Sequence, residues 1–143
     1  MNPIEPAPGL SVRGVTPPLQ LANFRLIAFD MDSTLINIEC VDEIAAAAGR
    51  KAEVAAITEA AMRGEIADYK ASLRQRVALL KGVSVAALEQ VYRERLQLNP
   101  GAETLVRACQ AAGLQTLLVS GGFTFFTDRV RDRLGLDFTR SNV

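Results

Sequence analysis

From Phe24 to Phe29 the chain reads FRLIAF, nearly all apolar, and it turns polar abruptly at Asp30. A short apolar run closed by polar residues is the pattern of a buried parallel strand. LQTLLVS, residues 114–120, has the same character and predicts a second strand. Between the two, from Val41 to about Leu96, apolar residues recur at helical spacing. VDEIAAAA closes at Gly49, EVAAITEAAMR at Gly64 and DYKASLRQRVALLK at Gly82. A glycine just past a periodic segment is a helix stop. Ser84 then reads as the N-cap of VAALEQVYRERL. NPG, residues 99–101, breaks the chain before AETLVRACQAA, a helix ending at Gly113. GGF is expected to open a last helix that runs to about Leu134 and stops at Gly135. Residues 1–20 hold five of the six prolines and no sustained period, which predicts a flexible or loosely packed arm.

The order is therefore strand, a long all-helical insert, helix, strand, helix. That order predicts an α/β fold, an open parallel sheet with helices on its faces. The expected organisation is an arm over 1–22, a sheet core over 23–39 and 98–143, and a helical insert over 40–97. In such sheets ligands bind beyond the carboxyl ends of the strands. DMDST and SGGFT both fall at that end, which joins them into one candidate site.

Composition narrows the chemistry. At 143 residues and 49% apolar, the chain suits one domain, or a core with a small insert, and can bury a sizeable core. Lys and Arg number 16, as do Asp and Glu, so nothing favours nucleic acid or an anionic membrane. No apolar run is long enough to span a bilayer, and the N-terminus lacks a signal-peptide layout. Cys40 and Cys109 each sit alone in an apolar helical context. They read as buried thiols of a reduced compartment, and the expected location is cytoplasmic. There is no histidine. This excludes a Ser-His-Asp triad, a phosphohistidine and a His-based metal site. Neither cysteine is followed by an arginine that could cradle phosphate. The chemistry must rest on carboxylates, hydroxyls, backbone amides and a metal held by oxygen.

Asp30 and Asp32 fit that requirement. If the chain stays extended, both point to one side of the strand end. Two close carboxylates repel, and burial worsens the repulsion. A hard divalent cation compensates, and magnesium is usually held by one or two carboxylates plus waters and substrate phosphate. One carboxylate can then attack phosphorus while the other protonates the leaving alkoxide and later activates water. Thr34 can hydrogen-bond locally and hold the turn. The bland reading is an Asp-rich turn after a strand. The strand, the D-x-D-S-T-L spacing and a second phosphate-type loop together favour the functional one. That second loop is VSGGFT, residues 119–124. Glycine lets the backbone approach a ligand, and Ser120 Oγ with the Gly121 amide are natural phosphate donors. Alone it is a plain strand-to-helix turn.

DMDSTL and VSGG resemble the first two motifs of the haloacid dehalogenase superfamily of phosphotransferases. DMDSTLINIECVDEIA, SLRQRVALLKG and SGGF resemble the phosphoserine phosphatases within it, over residues 24 to 143. The resemblance implies a Rossmann-like parallel sheet core with an all-helical cap inserted after the first strand. It implies Asp30 as nucleophile and Asp32 as general acid/base. It implies magnesium held by Asp30 and by the main-chain carbonyl of Asp32. It also implies Glu39 on the substrate's ammonium, Arg76 on its carboxylate, and Ser120 and Gly121 on its phosphate. The partner is then a small molecule, phosphoserine, hydrolysed to serine and phosphate in serine biosynthesis. The resemblance leaves room for a homodimer.

Helix geometry bears on Arg76. With Tyr69 at zero and about 100° per residue, Leu73, Arg76, Val77 and Leu80 fall at about 40°, −20°, 80° and 20°. Arg76 thus lies within the apolar stripe, whereas Arg74 falls at about 140°. A substrate carboxylate would satisfy it bidentately; an arginine snorkelling from the stripe or paired with an internal acid is the alternative. Glu39, just before a helix, is also explained by the helix dipole. Tyr69 and Met62 read as interior residues of the insert, with the pocket wall as the alternative.

One departure stands out. The family's third motif supplies a lysine and its fourth an acidic pair, and both should follow SGGF beyond Val143. Lys81, Asp128, Asp132 and Asp137 do not substitute by position. The chain is therefore expected to be the N-terminal portion of a longer enzyme, weakly active or inactive by itself. A phosphatase or phosphotransferase for another small phosphomonoester, and a non-catalytic binding fragment, are the competing readings.

Overall fold

The computed structural model describes residues 3–16, 18–66 and 68–143. Two short antiparallel strands, β1 (Ile4–Ala7) and β2 (Leu10–Val12), turn at Gly9, whose φ is 77°. Their apolar side chains stay largely in solvent, with Ile4 and Leu10 both exposed. The N-terminal segment thus forms a paired ribbon without burying its apolar residues.

The main sheet has three parallel strands in the order β3 (Leu26–Phe29), β4 (Gln115–Phe123), β5 (Phe138–Asn142). Leu26 lies opposite Gln115 and Phe29 opposite Leu118, while Leu117 lies opposite Phe138. Three findings differ from the sequence reading. β5 is a third strand, built from the polar stretch FTRSN. Edge strands tolerate such residues because one side of the ladder faces water. The first strand is not buried throughout: Leu26 is 49% exposed, and Val119 and Phe138, on the same face, are also exposed. Among the described residues the helices cover only the face that carries Phe29, Thr116 and Leu118. Finally, β4 does not stop at Ser120. It continues through Gly121 and Gly122 to Phe123, which pairs with Asn142.

Six helices follow the sequence punctuation closely: α1 (Cys40–Ala47), α2 (Lys51–Met62), α3 (Tyr69–Ala78), α4 (Val85–Glu94), α5 (Ala102–Ala111) and α6 (Thr124–Leu134). Ser84 caps α4, its Oγ accepting the N–H of Ala87 at 3.2 Å, a contact that stabilises a helix by about 1 kcal/mol. Asp68 caps α3 in the same way. Gly135 ends α6 in the left-handed conformation, φ 65°, which costs glycine nothing. α3 ends at Ala78, short of Gly82, through turns closed by Leu79, Leu80 and Lys81.

α5 and α6 pack on the sheet around Val106, Leu118, Phe126 and Val130, all at most 1% exposed. The same cluster runs into the helical insert through Ile38, Cys40, Ile44 and Val91. α1 packs on α2 and α4, and α2 on α3, around Val41, Ala45 and Val54. The two crossings between sheet and insert are pinned side by side. Ile36 bridges Leu98, the N–H of Asn99 reaches Leu35 O at 2.9 Å, and Asn99 Nδ2 reaches Thr34 O and Ile36 O, each at 2.9 Å.

Candidate active site

β3 ends at Phe29 and the backbone turns at once. Asp30 is still extended, and its Oδ1 accepts the N–H of Met31 at 2.7 Å. An irregular helical turn follows over Met31–Leu35, broken at Asp32 (φ −62°, ψ 134°) and Ser33 (φ 52°, ψ 14°). The chain therefore does not stay extended past Asp30. The buried side chains of Met31 and Leu35 anchor the turn, and the two acids line the cavity beside it. Ser33 rather than Thr34 braces it: Ser33 Oγ donates to Glu39 Oε1 at 2.6 Å, and Thr34 takes part through its carbonyl.

All six expected site residues line one cavity of about 190 Å³: Asp30, Asp32, Glu39, Arg76, Ser120 and Gly121. Val41, Tyr69, Leu73 and Gly122 complete the wall. Larger clefts, of about 350 Å³, lie along α1 and the α3–α4 connection and contain neither carboxylate of the pair.

Asp32 is the perturbed acid of the cavity. Its pKa is pushed up to about 6, first by burial and then by the charges of Glu39 and Asp30, while the thiol and main-chain N–H of Cys40 hydrogen-bond to it and oppose the rise. Its Oδ1 is buried with no hydrogen-bond partner. Cys40 is fully buried, and burial followed by the neighbouring Asp32 raises its thiol far above the ordinary range. It is thus no indifferent core thiol: it supports an acid of the cavity. Cys109 is a plain buried thiol.

Arg76 projects from α3 with Nε buried and unpartnered. None of the ion pairs among the described residues includes it, which removes the internal-acid explanation. Glu39 stands at the N-cap of α1 without capping it, so its carboxylate is directed by Ser33 and not by the helix end.

Ser120 is 8% exposed, and its Oγ accepts the N–H of Gly122 at 2.9 Å. A Cβ on Gly122 would stand 3.1 Å from Ser120 Oγ and 3.4 Å from Met31 Cε. A Cβ on Gly121 would collide with the hydroxyl of Tyr69. Both glycines lie at ordinary φ inside an extended strand and not at a helix start, and at both the neighbouring side chains stand close. Helix α6 begins only at Thr124, so its N-terminal amides do not form the cradle.

Several contributors were missed or misplaced by sequence reasoning. Tyr69 and Met62 are both well exposed and not interior; Tyr69 lines the cavity, whereas Met62 lies outside it. Tyr69 shares the helical stripe with Arg76, and that was its only signal. Cys40 had none beyond adjacency to Glu39. Lys81 lines a different cleft, Asp128 and Asp132 pair with Arg131, and Asp137 holds Thr116.

The carboxylate pair, the small-residue strand end and the helical insert after the first strand together point to one class of hydrolase. A family model described as haloacid dehalogenase-like hydrolase matches residues 24–142, and the chain belongs to that family. Among relatives, the chain is 77% identical over 143 residues to a phosphoserine phosphatase of Polaromonas sp., covering 100% of this chain and 61% of that protein. It is 72% identical to one of Albidiferax ferrireducens, with 100% and 60% covered. Among solved structures, a phospho-aspartyl intermediate analogue of phosphoserine phosphatase superposes with a TM-score of 0.75 at 39% identity, covering 82% of this chain and 56% of that one. The chain thus spans 61% and 60% of the length of these two curated relatives. The α/β fold with its parallel sheet is the haloacid dehalogenase fold.

Proposed function

We propose that this protein is a magnesium-dependent phosphoserine phosphatase, hydrolysing O-phospho-L-serine to L-serine and phosphate through an aspartyl-phosphate. The observation that carries the reading is the convergence in one cavity of Asp30 and Asp32, the Ser120–Gly121 strand end, and the opposite charges of Glu39 and Arg76. High identity to proteins named phosphoserine phosphatase supports the substrate.

Each residue has a task in this reading. Met31 N–H occupies Asp30 Oδ1, which leaves Oδ2 to attack phosphorus. Asp32, with a pKa near 6, holds its proton in part at neutral pH; it protonates the departing serine oxygen and then takes a proton from the attacking water. Ser120 O–H and the Gly121 N–H take phosphate oxygens. Arg76 takes the carboxylate, its buried Nε gaining the partner it lacks. Glu39, fixed by Ser33, takes the ammonium. The helices of 40–97 act as the cap that brings Arg76 over the core.

The donors fit magnesium: the Asp30 carboxylate at the cavity and the main-chain carbonyl of Asp32 are hard oxygen ligands that leave room in the shell for waters and a substrate phosphate. Asp30 and the Asp32 carbonyl would hold it, and it would offset the charge where carboxylate and phosphate meet. The reading brings with it a small-molecule substrate, a role in serine biosynthesis and a cytoplasmic setting. Among the described residues no helix is long and apolar enough to cross a membrane.

The test is phosphate release from O-phospho-L-serine with magnesium, by this chain and by a chimera in which it replaces the matching part of the Polaromonas relative. The chimera is expected to turn over, and Asp30→Asn to reduce its rate by roughly three orders of magnitude or more. Cleavage of other phosphomonoesters in preference to phosphoserine would refute the substrate assignment and keep the chemistry.

A further inference from the structure

The cavity is divided between two parts of the fold. Ser120 and Gly121 belong to β4, and α6 continues from the end of that strand. Glu39 stands at the N-cap of α1 and Arg76 on α3, both on the side of the insert. A ligand that reaches both ends is held only as well as the two parts are held to each other. Away from its two chain connections, the insert is joined to the core by one side-chain hydrogen bond among the described residues. Arg129 Nη2, on α6, donates to Glu89 Oε1, on α4, at 2.6 Å.

An isolated pair whose side chains are 36% and 39% exposed would do little. Arg129 differs because its guanidinium is already placed by its own helix. Nη1 donates to Phe125 O at 2.8 Å, and Cζ lies 3.7 Å from the centre of the Phe125 ring. Phe125 in turn meets Phe126 edge-on, and Phe126 is fully buried. The fork is thus fixed before it meets α4, and pairing costs it little further side-chain freedom. The Tyr92 ring, one turn after Glu89, lies 5.8 Å from the same Cζ, within the range of attraction between a cation and an aromatic face. One guanidinium therefore engages a charge and a ring of the insert. α4 packs on α1, α1 on α2 and α2 on α3. The seat of α4 on α6 then sets where Glu39 and Arg76 stand relative to Ser120.

We propose that Arg129 is a positioning residue of the site: clamped on Phe125 and paired with Glu89, it fixes the insert on the core and so sets the separation between the phosphate end of the cavity and its amino-acid end. Neither Arg129 nor Glu89 lines the cavity, so the pair acts through the helices that carry it. The inference rests on the phosphoserine phosphatase reading and adds to it a residue that touches neither substrate nor metal.

The Polaromonas chimera, assayed with O-phospho-L-serine and with inorganic phosphate as a competing ligand, tests it. Arg129→Gln and Glu89→Gln are each expected to raise KM for phosphoserine about fivefold, and the double variant no further than either alone. The inhibition constant of phosphate, a ligand of the core end only, is expected to stay at the wild-type value. An unchanged KM, additive losses in the double variant or a parallel loss of phosphate affinity would overturn the positioning role while the phosphatase reading stands. A wild-type chimera that phosphate inhibits but that does not cleave phosphoserine would overturn the substrate reading and the inference with it. Absence of competition by phosphate would overturn the Ser120–Gly121 assignment on which both rest.

Discussion

Ser33 donates its hydroxyl to Glu39 at 2.6 Å from a left-handed backbone, φ 52°. It is the single non-glycine residue of positive φ among those described. A β-carbon in that conformation costs roughly 1 kcal/mol or more. The position therefore combines backbone strain with a bond that aims a carboxylate into the cavity.

Ser33→Gly relieves the strain and loses the bond, whereas Ser33→Ala loses the bond and keeps the strain. The glycine variant is expected to be more stable than the alanine variant by roughly 1 kcal/mol in urea unfolding. Both are expected to bind O-phospho-L-serine more weakly and inorganic phosphate as before. Equal stabilities, or the opposite order, would contradict the left-handed turn.

Asp32 gives a pH dependence of definite sign. Its carboxyl is raised from 3.8 to about 6 in the folded chain. The native state then holds more protons than the unfolded state between these values, so this contribution is complete below about pH 4 and lost as pH rises through 6. In chelator, Asp32→Asn is expected to gain roughly 1–2 kcal/mol over wild type at pH 7.5, allowing for partial solvent screening, and nothing near pH 3.5. Stability profiles that stay parallel across this range would refute the perturbed acid.

Arg76→Lys keeps the charge and loses the fork. O-phospho-L-serine should bind roughly tenfold or more weakly to the variant, and phosphoethanolamine, which has no carboxylate, equally well to both proteins. A parallel loss for the two ligands would place Arg76 on the phosphate.

The site was legible wherever one element carried the signal. FRLIAFD announced a strand ending in an acid, and Ser84, Gly113 and Gly135 announced helix ends that the structure keeps to within a residue or two. The stripe of Tyr69, Leu73 and Arg76 announced a face. What stayed hidden depends on pairs of elements. Gly121 and Gly122 read as a loop because glycine punctuates; they are strand because Asn142 pairs with Phe123 and its Nδ2 holds Gly121 O at 2.8 Å. Phe138–Asn142 carries no apolar run and forms a strand only beside β4. The approach of Tyr69 to Gly121 is set by how the insert sits on the sheet, and no local pattern encodes that.

The central claim is that Asp30 becomes phosphorylated. The direct measurement is reductive trapping with borohydride during turnover of O-phospho-L-serine by the Polaromonas chimera, followed by peptide mapping. An acyl phosphate is reduced to an alcohol, so the account predicts modification at position 30 within LIAFDMDSTL and none in Asp30→Asn. Modification at another residue, or undiminished turnover by Asp30→Asn, would contradict it.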